Sequence, residues 1–146
     1  MRIRYIPAVL FAVTAVIAFG QDPDSAWKEL LIQGQRATMD QKPAAAELSL
    51  KQALRLAERF GSNDRRVAVT MNALGLVYKD EKKYGEAEKS FRRALEVLDA
   101  GGVTETQEVA EMNFNLAGVL VDQGKQQAAI PLYGKSLTPA FGQEPG

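Results

Sequence analysis

The carboxylate pairs Glu86/Glu88 and Asp22/Asp24 come nearest, by type and spacing, to residues that could do chemistry. Two such groups held together can act as general acid and base, or hold a hard cation. Neither pair meets the requirement. Glu86 and Glu88 sit two apart in a helical pattern, so their side chains point in different directions. Asp22 and Asp24 fall in a loop-like stretch and lack the ligand spacing of a calcium loop. The chain has no histidine and no cysteine. That excludes imidazole-based triads, thiolate nucleophiles, disulfides and the usual zinc ligands. No glycine-rich phosphate loop precedes a helix. The sequence therefore predicts no catalysis, no cofactor and no metal. Eighteen basic residues balance eighteen acidic ones, and the pI is near 6.3. Such a balance lacks the basic footprint of a nucleic-acid binder.

Residues with this chemistry need elements to carry them. At 46% hydrophobic and 25% charged over 146 residues, the chain suits a single folded domain. Its start reads as targeting. Met1-Arg2-Ile3-Arg4 is a short basic head, Tyr5 to Phe19 is uncharged and mostly apolar, and Ala18-Phe19-Gly20 gives a small-x-small exit. This predicts a Sec signal peptide over 1–20, with the product periplasmic or secreted. The apolar run is shorter than the ~20 residues of a membrane-spanning helix. Its rival role is an uncleaved anchor over 5–19, and only then would the membrane be a partner. Removing Arg2 and Arg4 leaves the mature chain slightly acidic.

Residues 21–140 read as repeats, and 141–146 as a tail. An offset of 42 carries Leu74-Gly75 to Leu116-Ala117, Asp80 to Asp122, Lys83 to Lys125, Ala87 to Ala129, Phe91 to Tyr133 and Leu95 to Leu137. A fainter copy lies 41 residues upstream, where Gly34 matches Gly75, Ala46 matches Ala87, and Leu50 matches Phe91. Each copy holds two helical stripes. Met71, Leu74 and Tyr78 share one face; Ala87, Phe91, Ala94, Leu95 and Leu98 share another. Stops and starts fall at Asp22-Pro23, Gly61-Ser62-Asn63, Gly101-Gly102, Thr104-x-x-Gln107 (a capping-box pattern) and Gly124. These predict six helices near 23–39, 43–60, 64–80, 84–100, 104–122 and 126–138. The fold class is all-α, with pairs over about 23–60, 64–100 and 104–138 stacked as a right-handed solenoid. Small residues (Gly34, Gly75, Ala117) are expected to face small residues (Ala46, Ala87, Ala129) across each pair. Leu50, Phe91 and Tyr133 are expected to fill the space beyond.

Leu74-Gly75-x-x-Tyr78 followed by Ala87-x-x-x-Phe91-x-x-Ala94 resembles the tetratricopeptide repeat. The 42-residue period and Pro131 within Ala129-Ile130-Pro131-Leu132-Tyr133 resemble its kinesin-light-chain-like subclass. The first copy departs from the pattern: Gln33 and Ala37 stand where a large apolar and an aromatic residue belong. The resemblance implies a scaffold or adaptor for a protein or peptide of unknown identity. It also implies that the first helix of each pair lines a concave face. On this chain that face would hold Lys28, Leu31 and Gln35, then Asn72, Leu76, Lys79 and Asp80. In the third pair it would hold Glu111, Phe114, Asn115, Gly118 and Asp122. Asn72 and Asn115 suit reading a peptide backbone, because an amide both donates and accepts. Phe114 suits an aromatic anchor. A basic carboxylate clamp is not expected, since only Lys28 and Lys79 would lie on that face. Arg65-Arg66 and Arg92-Arg93 read as solvated helix surface. The last helix carries Ile130, Leu132, Tyr133 and Leu137, which predicts apolar exposure and self-association through the C-terminal pair.

Overall fold

A computed structural model describes residues 22–104 and 106–141. The expected signal segment and most of the tail lie outside them. Six α-helices follow one another: α1 (Pro23–Met39), α2 (Pro43–Glu58), α3 (Arg65–Asp80), α4 (Tyr84–Ala100), α5 (Gln107–Asp122) and α6 (Gln126–Phe141). Among the described residues there is no strand. Consecutive helices form three antiparallel-type pairs, α1/α2, α3/α4 and α5/α6, and each pair packs on the next through α2/α3 and α4/α5. First helices of successive pairs also touch, α1 with α3 and α3 with α5. The second helices make no contact of that extent.

The helix ends show why the chain turns where it does. Asp22 caps α1 by accepting from Ser25 N at 3.2 Å, and Pro23 takes the first turn. Each turn inside a pair has one form. Lys42, Lys83 and Lys125 donate their backbone N–H groups to the carbonyls of Ala37, Tyr78 and Leu120, each at 2.8 Å. The residue before each lysine is left-handed: Gln41 (φ 57), Lys82 (φ 60) and Gly124 (φ 75). This is a Schellman closure repeated three times. Only the third copy has the glycine that announces it. Two expected caps move. Asp64, rather than Ser62 or Asn63, caps α3, because its carboxylate accepts from Arg66 N at 2.8 Å. Thr106, rather than Thr104, caps α5 by accepting from Val109 N at 3.3 Å. Gln107 then lies inside the helix and donates to Glu111 Oε1 at 2.8 Å.

Packing within a pair also differs from the small-on-small expectation. A Cβ on Gly34 would come within 2.5 Å of Leu50 Cγ, and one on Gly75 within 2.7 Å of Phe91 Cε1. The glycines thus receive the large side chains of the partner helix directly. Leu50 and Phe91 are fully buried, as are Ala46, Ala87, Ala94 and Ala117. Leu74 and Leu116 are core residues too, while Ala129 is buried and Tyr133 half-buried beside it.

Polar ties join pair to pair. Trp27 Nε1 donates to Thr70 Oγ1 at 2.9 Å, linking α1 to α3. Arg66 bonds Asp24 at 2.7 Å and Asp64 at 3.0 Å, and its guanidinium stacks 4.1 Å over the Phe60 ring. The solvated reading of Arg66 therefore fails; its partner lies 42 residues upstream. Arg65 is exposed yet pairs with Glu108 at 2.6 Å, which ties α3 to α5. Arg92 stays on the surface and pairs with Glu88, while Arg93 donates to the Ser62 carbonyl. One tie recurs. Glu47 accepts from Tyr78 Oη at 3.1 Å with Lys83 at 3.7 Å. One repeat later, Glu88 pairs with Lys125 at 2.9 Å.

Candidate functional site

The residues expected on a binding face are held by α1, α3 and α5. On α1, Lys28 is exposed and pairs with Asp24 at 2.6 Å, while Gln35 is exposed. Leu31 belongs to the core at 9% exposure, not to the surface, because the chain buries it beside Trp27 and Leu50. On α3, Leu76 is half-buried and packs against the second core cluster, which contains Leu116 and Leu120. Lys79 reaches across to α5: its Nζ lies 3.8 Å from the position a Cβ on Gly118 would take. Asp80 and Asp122 are exposed at their helix ends.

Asn72 is half-buried, and its Oδ1 is buried without a hydrogen-bond donor among the described residues. A buried carbonyl oxygen left so costs about 1–3 kcal/mol. Asn115, next to the Phe114 that stands one repeat on from Asn72, is also half-buried. Its neighbour Asn113 is spent internally, donating to the Val109 carbonyl at 2.9 Å.

The third pair brings three candidates together. Glu111, Phe114 and Asn115 line a groove of about 630 Å³ between α5 and α6, with Gln107, Ala110, Ser136 and Leu137. Phe114 is 57% exposed and meets Tyr133 edge-on, the ring centres 5.6 Å apart. Its contact is with its own pair, not the preceding one. Gln107 and Ser136 carried no sequence signal toward this groove. Leu137 did, as an apolar residue late in the last helix.

Charge perturbations fall on the ties between helices rather than in the groove. Lys28, then Arg66, holds the Asp24 carboxyl below its usual range. Lys51 does the same for Glu47, and Lys125 for Glu88. Burial, then the bond to Glu47, pushes the Tyr78 hydroxyl up. Among the described residues no cluster of acidic side chains could hold a metal ion. None of the described helices is long and apolar enough to cross a membrane.

Stacked helix pairs with glycine-seated large residues define a helical-repeat fold of the tetratricopeptide type, an architecture that generally serves as a protein-interaction scaffold. The tetratricopeptide-repeat family model matches residues 36–100. Tetratricopeptide repeat protein 19, mitochondrial, from Mus musculus is 30% identical over 106 residues, covering 72% of this chain and 29% of the mouse protein. The Rattus norvegicus protein of the same name is 29% identical over the same length. This chain thus spans under a third of these relatives. The crystal structure of the tetratricopeptide-repeat domain of Arabidopsis FLU superposes with a TM-score of 0.75. It covers 84% of this chain and all of that one, at 18% identity. Together these matches support the tetratricopeptide-repeat family for this chain.

Proposed function

We propose that this chain is an exported, non-catalytic scaffold of the kinesin-light-chain-like type, which holds a protein or peptide segment along α1, α3 and α5. The observation that carries the reading is the open groove of the third pair, where Glu111, Phe114 and Asn115 of α5 meet and Phe114 is exposed. The Asn115 amide there can both donate to and accept from a peptide backbone. The contacts of α1 with α3 and of α3 with α5 support an inner, concave position for the first helices. Asn115, Glu111 and Phe114 extend the surface into the groove of the third pair. The apolar run Tyr5–Phe19 after Arg2 and Arg4 supports export, with the domain at 21–140 as the mature unit. Its rival is a tethered structural subunit of an envelope assembly that keeps 5–19 as an anchor.

Affinity capture from envelope extract, with wild type beside Phe114→Ala and Asn115→Ala, tests the face. The reading expects a partner that both variants lose while their melting temperatures hold. Equal capture by all three chains overturns it. Intact mass of the exported protein separates cleavage from anchoring: retention of residues 1–20 decides for the anchor.

A further inference from the structure

The two ends of the array are built differently. Thr70, Leu74 and Val77 of α3 are buried, and so are Met112, Leu116 and Val119 one repeat later. The same register in α1 holds Glu29, Gln33 and Arg36, all exposed, with Gln33 Nε2 bonded to Glu29 Oε1 at 3.3 Å. This stripe of α1 is polar, although Ile32 and Met39 stand exposed beside it.

The α6 end is the reverse. In α2 and α4 one stripe faces the following pair, spaced i, i+4, i+7, i+11. It reads Glu47, Lys51, Leu54, Glu58 and then Glu88, Arg92, Leu95, Asp99. Its glutamates make the recurring ties to Lys83 and Lys125. In α6 the register reads Ile130, Gly134 and Leu137. Every charged residue has become apolar or glycine. Ile130 is 67% exposed and Leu137 57%. Across the 16 residues of α6, Lys135 is the single charge.

Gly134 adds a second, independent sign. Glycine inside a helix is unfavourable relative to alanine, so it usually marks a close approach. Gly34 and Gly75 obey that rule inside the chain. At Gly134 a Cβ would meet nothing within 4 Å. Among the described residues no packing requires glycine there. Three residues on, the exposed Leu137 is the kind of side chain that Gly34 and Gly75 accommodate.

We infer that the α6 stripe is an interface between two copies of this chain, with two α6 helices packed antiparallel about a two-fold axis. Leu137 of each copy seats over Gly134 of the other, repeating between molecules the relation of Phe91 to Gly75. The spacing is that of an a/d seam, which such pairing needs. The stripe carries no charge, so it opposes itself without like-charge repulsion.

Light scattering on the full chain over a wide concentration range tests this, with Ile130→Glu and Gly134→Ala beside wild type. Glutamate already occupies the Ile130 register in α2 and α4, so the helix accepts it. Wild type is expected to reach a mass of two copies. Ile130→Glu should weaken the pairing by about tenfold or more with unchanged helix content. Gly134→Ala should weaken pairing while raising the melting temperature measured at dilution, a combination that a purely structural glycine does not give. A wild-type monomer throughout, growth beyond two copies, or pairing untouched by both variants overturns the proposal. Leu137 lines both the groove and this interface, but Ile130 lies outside the groove; partner capture kept by Ile130→Glu while pairing is lost shows that the scaffold reading stands without the pairing.

Discussion

The indole N–H of Trp27 donates to Thr70 Oγ1 at 2.9 Å, and the same hydroxyl donates to the Arg66 carbonyl at 2.7 Å. Both side chains are buried, at 8% and 0% exposure. One small hydroxyl thus satisfies the bulky side chain that docks α1 onto α3.

Thr70→Val keeps the shape and removes the acceptor. The buried indole N–H is then unsatisfied, a loss of about 1–3 kcal/mol. Trp27 is the only tryptophan, so its fluorescence reports on this contact alone. Chemical unfolding followed by that emission should show a lower midpoint for the variant. An unchanged midpoint would refute the contact.

Gly75→Ala places a methyl 2.7 Å from Phe91 Cε1, and Phe91 is fully buried with no room to retreat. Alanine is the better helix former by about 1 kcal/mol, yet overpacking of about 1–3 kcal/mol should outweigh it. Gly75→Leu should cost more. Gly85→Ala is the control, since a Cβ there meets nothing within 4 Å. Thermal melts should fall for the first two and not for the third. Phe91→Leu in the Gly75→Ala background should recover part of the loss.

Acid should loosen the stack. Asp24, Glu47 and Glu88 are all held below their usual carboxylate range by neighbouring cations. A folded-state pKa below the unfolded one gives stability that is complete above the unfolded value and lost as pH falls through the folded value. The melting temperature should therefore hold from neutral pH to about 5 and decline below about 4. Glu47→Gln with Glu88→Gln should flatten that decline. Added salt should shrink it too, because these groups are partly exposed.

Much of the architecture was legible from the repeat itself. The offset near 42 and the two stripes per copy located six helices within a few residues. What escaped depended on distant partners or on residues without a signal. Gln41 and Lys82 adopt the left-handed turn that Gly124 announces, but nothing in their chemistry says so. Arg66 looked solvated because Asp24 and Phe60 reach it only after folding. Leu31 shares the register of the half-buried Asn72, 41 residues on, but its apolar side chain buries in the cluster of Trp27 and Leu50. The glycines were recognised as sites of close approach, yet the alanines opposite were taken for their neighbours. A period shows which residues correspond, but not which side chain leans into the gap. The groove of Glu111, Phe114 and Asn115 was legible on its α5 side alone. Its other wall, Ser136 and Leu137, comes from a helix whose register is set by packing.

Each pair leans chiefly on its neighbours, and no helix of the first pair meets the third extensively. Order in such an array is passed along rather than shared at once. Loss of α6 would leave the seat of Leu50 intact, whereas loss of α3 would strand both flanks. The middle pair is therefore the keystone, and unravelling should begin at the ends and reach it last.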